Sequence, residues 1–154
     1  MNERYQIDST DRKILRILQN DARTPFLEIA RKLKCSGGTV HSRVGKMREL
    51  GIIAGQKMVL DRKKLGYELE AFLGITVDQP SNIAEVTDKL RDIGEVLELH
   101  YTTGAYSLLC RVTVENTDHL YRLLSKKIQS IPAVVSTDTM VILKKMFEKD
   151  LEVK

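Results

Sequence analysis

Apolar residues in the first third of the chain recur every three or four positions. Ile14, Leu15, Ile17 and Leu18 form one such set, Phe26, Ile29, Ala30 and Leu33 a second, and Val40, Val44, Met47 and Leu50 a third. That spacing predicts three amphipathic helices, each with one buried stripe. The breaks between them carry helix-end chemistry. Residues 1–7 are polar and predict a loose arm; Asp8, Ser9 and Thr10 then offer capping oxygens to the first helix, which ends near residues 20–23. Pro25 opens the second at its first position, where the missing N–H costs nothing. Lys34 and Cys35 make a turn, Ser36 caps the third helix, and Gly51 stops it.

Beyond Gly51 the period falls to two. Lys57, Val59 and Asp61 alternate with Met58 and Leu60, which predicts a short strand leaving the helices, followed by a turn at Leu65 and Gly66. Residues 69–77 read as a nearly continuous apolar strand. A helix from Asn82 to about Ile93 follows, with Asn82 as its cap and Ile83, Val86, Leu90 and Ile93 on one face. Strands at 96–102 and 106–114 come next, then a helix capped by Asn116 or Thr117 and ended by Pro132, then an alternating strand at 134–143. The order β-α-β-β-α-β predicts a ferredoxin-like sandwich with both helices on one sheet face. The fold class is therefore α+β: an N-terminal three-helix winged helix-turn-helix (residues 1–55), a linker strand and turn (56–66), and a C-terminal ferredoxin-like βαββαβ sandwich (67–154). Strands this rich in Leu, Ile and Val imply burial on both sides, and a second copy of the chain is the simplest cover for the bare face.

The third helix has an outer side with nothing apolar on it. Gly38, Thr39, Ser42, Gly45 and Lys46 lie there, with His41 and Arg43 on the flanks. A helix that is small, polar and basic on one side can enter a DNA major groove with its N-terminal half against base edges. The glycines cost the helix stability and gain a use where a sugar-phosphate wall comes close. Ser36, Gly37, Gly38, Thr39, His41, Ser42, Arg43 and Lys46 are the candidate DNA-binding residues. Among them Thr39, His41, Ser42 and Lys46 are candidates for base edges. Arg43 has two readings, a phosphate clamp and an internal salt bridge. Lys13, Arg16, Arg31 and Lys34 are further phosphate candidates.

Charge sharpens this picture. The net charge of the 154 residues is +4, yet residues 1–61 hold 12 Lys and Arg against 7 Asp and Glu, while residues 62–154 hold 13 against 14. All the excess is on the helical half, as a double-stranded DNA partner for that half requires. With 42% hydrophobic and 30% charged residues, the chain reads as a globular protein. No apolar run approaches a membrane span, and the start of the chain has no apolar signal core, so a cytoplasmic location is expected. Cys35 and Cys110 read as packing residues rather than a bridge. His100 and His119 have no cysteine or acid at metal-ligand spacing. No nucleophile elbow, phosphate loop or zinc-protease motif is present, so no catalysis, no metal and no cofactor are expected. A low-specificity architectural protein that wraps DNA is the alternative to a sequence-specific regulator.

Asp8, Asp11, Ile14 and Leu15 form D-x-x-D-x-x-I-L. Together with residues 21–23, with Ser36, Thr39, Val40, Arg43 and Val44, and with residues 51–53, Leu65–Gly66 and the turn at 103–106, this ordered set resembles the Lrp/AsnC (feast/famine) family. The resemblance covers nearly the whole chain. It implies a transcription regulator with a DNA-binding head and a C-terminal domain for ligand response and assembly. It also implies a homodimer that builds an octamer, and an amino-acid effector bound at contacts between dimers. Carried onto this chain, the effector site falls at Thr102, Gly104, Ala105, Tyr106 and Ser107, with Thr137, Asp138 and Thr139 opposite. The family turn often has acids where Ala105 and Ser107 stand, which removes partners for an ammonium group. Asp138 as a substitute, a different ligand and an empty site are all open readings. Gly37 stands where the family often has Pro.

Overall fold

A computed structural model describes residues 5–153 of the chain. They form two compact units. One runs to Val59 and takes in the tail from Phe147, and the other spans Leu60–Met146.

The first unit holds α1 (Ser9–Asn20), α2 (Phe26–Leu33) and α3 (Gly37–Glu49). Asp8 caps α1 by accepting from the Thr10 and Asp11 backbone N–H groups, and the Asp11 side chain accepts in return from the Asp8 N–H. This reciprocal box satisfies donors that a helix start leaves bare. Pro25 lies one residue outside α2 rather than at its first position, with extended backbone at its N-cap. Lys34 makes the tight turn in the left-handed region, at φ 54°. Ser36 caps α3 through the Thr39 N–H. Gly51 follows the helix at φ +70°, where a side chain is strained. Ile14, Leu15, Ile29, Ala30, Val40, Val44 and Met47 form the core. Leu50, expected on that stripe, is 49% exposed because it caps α3, where the chain turns away.

Three expectations for this unit change. Residues 5–7, read as a loose arm, dock: Tyr5 and Ile7 pack against the helical core. Met1 to Arg4 lie outside the described residues. The strand expected at 57–61 does not form, and Met58, Val59 and Leu60 are exposed, since no strand hydrogen-bonds to them. No strand among the described residues of this unit makes a wing. The charged tail, expected with the C-terminal domain, returns to α1. Arg16 donates to the Val153 carbonyl at 3.1 Å, Gln19 donates to the Leu151 carbonyl at 3.0 Å, and Val153 packs on the core.

The second unit is a four-stranded antiparallel sheet in the order β2-β3-β1-β4, with β1 (Leu69–Val77), β2 (Val96–Tyr101), β3 (Leu108–Val114) and β4 (Val134–Val141). α4 (Ile83–Arg91) follows β1. α5 (Thr117–Arg122) follows β3 and continues as a π-helical turn, Leu123–Ile128. This is the ferredoxin-like order. Ala71, Leu73, Ile75 and Val77 of β1 and Leu108, Cys110, Val112 and Val114 of β3 are buried in the core with α4 and α5 residues. Asn116 caps α5 through the His119 N–H. Asn82 precedes α4 without capping it, because its amide donates to Asp78 instead.

The opposite sheet face differs from the apolar surface expected. The helix-facing positions of β1 and β3 are buried, and on the opposite face Gly74 and Thr113 are buried as well, while Phe72 is exposed and Glu70, Thr76, Leu109 and Arg111 are half-buried. On the open side Arg111 pairs with Glu70 at 3.2 Å and with Glu98, and Arg62 pairs with Glu70 at 3.1 Å. Phe72, Leu109 and Met140 flank this charged centre. Apolar and paired charged residues therefore share the face.

Candidate nucleic-acid interface

The capping geometry at Ser36 fixes the start of α3 and thereby aims its outer side. The Ser36 hydroxyl lies 2.8 Å from the Thr39 hydroxyl, so these two candidate contacts also hold each other. Gly38, His41, Ser42 and Lys46 are exposed and Val40, Val44 and Met47 are buried, the division predicted from the helical period. A Cβ at Gly37 would come to 2.9 Å from Leu27 Cδ2, so packing against α2 accounts for this glycine. At Gly38 a Cβ would meet only Ser36 Oγ at 3.8 Å, and at Gly45 nothing among the described residues within 4 Å. His41 stands edge-on to Phe26, with ring centroids 5.9 Å apart.

Arg43 takes the second of its two readings. Its Nη1 donates to Asp8 Oδ2 at 2.6 Å and to Asp11 Oδ1 at 2.9 Å. Asp11 is buried, and its other oxygen accepts from the Tyr5 hydroxyl at 2.8 Å and the Asp8 N–H at 3.2 Å. Hydrogen bonds from the Asp11 N–H and then from Arg43 hold Asp8 below the usual carboxylate range. The Asp8 and Asp11 acceptors push Arg43 upward. The bond to Asp11, with burial added, raises the Tyr5 phenol. The arginine thus ties α3 to the start of α1 across the head. Arg16 is likewise engaged, by the tail.

A cleft of about 620 Å³ opens along this side of α3, lined by Tyr5, Gln6, Gly38, Thr39, Ser42 and Lys46 together with the Asp8, Asp11 and Arg43 cluster. Lys46 Nζ sits over the Tyr5 ring at 4.8 Å from its centroid. Tyr5 and Gln6 were missed in the sequence. The available signal was an aromatic residue three positions before the capping aspartate in an otherwise polar arm.

In the second unit the residues of the predicted effector site divide. Tyr106 lies across Gly74: a Cβ there would be 2.5 Å from the ring. Its hydroxyl donates to Asp138, the residue paired with Gly74 on β4, and this bond raises the phenol. Thr102 donates through its hydroxyl to the Tyr106 carbonyl at 2.6 Å, and its N–H donates to the Ser107 carbonyl at 3.1 Å. The Ser107 hydroxyl accepts from the Val77 N–H at 3.2 Å. Gly104 and Ala105 form the exposed tip of that turn. Thr137 and Thr139 do not join this group. They pair with Ile75 and Leu73, whose side chains enter the helix-covered core, and Thr137 accepts from Gln129 at 2.8 Å. The period of a strand puts them on the side away from Asp138.

No helix of the described residues is long and apolar enough to cross a membrane. Comparison with known proteins matches residues 7–48 to the AsnC-type helix-turn-helix domain and residues 70–151 to the Lrp/AsnC ligand binding domain. The regulatory protein AsnC of Haemophilus influenzae is 41% identical over 148 residues, covering 96% of this chain and 99% of that protein. The solved structure of E. coli AsnC superposes with a TM-score of 0.92 at 36% identity, covering 97% of this chain and 100% of that one. A feast or famine regulatory protein from M. tuberculosis, complexed with L-methionine, superposes with a TM-score of 0.86 at 27% identity, covering 95% and 98%. With both domains matched in order along one chain and near-complete coverage of its relatives, this protein belongs to the Lrp/AsnC family of helix-turn-helix transcription regulators.

Proposed function

We propose that α3 enters the DNA major groove as the recognition helix of a sequence-specific regulator, with Lys46, Ser42, His41 and Thr39 toward base edges and phosphates. The observation that carries this reading is the outer side of α3, polar, basic and open over Gly38 and Gly45. Ser36 and Gly37 shape the helix start, and Arg43 holds the helix in place rather than gripping a phosphate. The protein acts on chromosomal DNA in the cytoplasm.

Two copies of the chain pair through the open sheet face and the exposed residues 58–60, and such dimers assemble to an octamer. A two-fold dimer sets two α3 helices at a spacing that suits a near-palindromic site. An amino acid binds beside the turn at Thr102, Gly104, Ala105, Tyr106 and Ser107, with Asp138 opposite. The complex of the mycobacterial neighbour with L-methionine supports that ligand class. An effector shifts the assembly by binding one arrangement better than another.

The test is selection of bound duplexes from a random pool, followed by fluorescence anisotropy of the selected duplex from about 50 to 200 mM salt. Lys46→Ala is expected to weaken binding and lower the salt slope by about 1 for each head that loses a phosphate contact. Its mass by light scattering stays that of the unaltered protein. Unchanged affinity and slope would remove α3's outer side from the interface. Failure of the pool to converge on a sequence would favour a wrapping protein.

A further inference from the structure

The described part of the N-terminal arm reaches α3 directly through a ring contact and indirectly through Asp11 of α1. The Tyr5 ring faces the Lys46 ammonium at 4.8 Å. The Tyr5 hydroxyl donates to Asp11 Oδ2 at 2.8 Å, while Asp11 Oδ1 accepts from Arg43, which lies one helical turn before Lys46. One residue of the arm therefore bears on two residues of α3, one through its ring face and one through a buried carboxylate. Tyr5 and Gln6 also line the cleft that Gly38, Thr39, Ser42 and Lys46 line.

We propose that Tyr5 is a positioning residue for DNA binding, holding Lys46 ready for its contact, so that the arm and α3 form one DNA-reading surface. This inference rests on the reading of α3 as the recognition helix. A lysine stem is long and freely rotating, and its rotamer freedom is lost when its ammonium engages a phosphate or base. An aromatic face attracts the ammonium and narrows those rotamers before DNA arrives. Less freedom then remains to be lost on binding. The partner is duplex DNA, recognised here through one cation held in place.

The experiment is a double-mutant cycle in the full chain. Tyr5→Leu, Tyr5→Phe, Lys46→Met and the double variant Tyr5→Leu/Lys46→Met are titrated by anisotropy against one duplex enriched from a random pool by the unaltered protein. A ring-to-cation contact at an exposed site corresponds to about a two- to fivefold effect. Tyr5→Leu is expected to weaken binding by that factor when Lys46 is present and to change nothing further in the Lys46→Met background. Tyr5→Phe keeps the ring and is expected to stay within about twofold of the unaltered protein. If Tyr5→Leu weakens binding equally in both backgrounds, it acts through the fold of the head and the proposal fails. It also fails if Tyr5→Phe is as damaging as Tyr5→Leu, or if Tyr5→Leu has no effect beside a damaging Lys46→Met. Lys46→Met leaving affinity and salt slope unchanged would overturn the recognition-helix reading itself, and the proposal with it.

Discussion

Replacing Arg43 by methionine keeps most of the apolar stem of the side chain and removes its charged guanidinium. The structure sets the size of the effect. Asp11 has a side chain only 1% exposed, and Arg43 supplies the bond to its Oδ1. Breaking a buried ion pair by removing one partner costs about 3–5 kcal/mol, because the other charge stays buried. Two features reduce the cost here. The second oxygen of Asp11 keeps the Tyr5 hydroxyl and the Asp8 N–H. Arg43 itself is 31% exposed, so water can reach the place its guanidinium leaves. The expected loss is therefore about 2–3 kcal/mol, near or below the low end of that range. A unit of about 67 residues has a stability of about 3–10 kcal/mol, so the loss is a large share. In urea, with m near 1 kcal/mol/M for so small a unit, the midpoint of the helical transition should fall by about 2–3 M. Circular dichroism at the helix band reads this transition. Asp11→Asn on the Arg43→Met background should recover part of the loss, since a neutral amide is cheaper to bury than a lone carboxylate. The salt slope of DNA binding should not move. An unchanged urea midpoint together with a slope reduced by about 1 would refute the reasoning and return Arg43 to the phosphates.

Two further predictions concern the second unit. Gly74→Ala puts a Cβ 2.5 Å from the Tyr106 ring and should cost about 1–3 kcal/mol by overpacking, read by thermal melting. In a Tyr106→Ala background the same change should cost nothing, and equal costs in both backgrounds would show that the ring is not the obstacle. Burial works to raise the Glu95 carboxyl, but bonds from Lys127 at 2.6 Å and His119 at 3.0 Å prevail and hold it at about 2. With the folded value below the ordinary 4.5, the contribution of Glu95 is complete above about pH 4.5 and fades as pH falls toward 2. Glu95→Gln should therefore be less stable than the unaltered protein at neutral pH and equal to it near pH 2, and parallel stability curves across that window would contradict this.

The helices of the head were legible because a helix is written locally. The apolar period, the Asp8 box, the Ser36 cap and the stop at Gly51 all act within a few residues of one another. β1 was legible for a related reason: a nine-residue run of strand formers has one reading between two turns. The position of Thr137 and Thr139 was also available from the alternation in β4. Carrying a family site across as one block hid it, although the alternation already set the two threonines opposite Asp138.

By itself the sequence determined the elements, their order, and which side of α3 stays clear of the core. Those follow from hydrophobic period and capping, which act over one or two turns of chain. Only the tertiary structure decided what Arg43 does, because its two partners lie 35 and 32 residues away. The same holds for the tail, whose Val153 carbonyl meets Arg16 across 137 residues, and for Tyr106 in the turn before β3, whose ring needs a residue without a Cβ on β1. A charged side chain carries no local mark of the partner that will take it. That choice is made when separate elements pack and bring buried acceptors within reach.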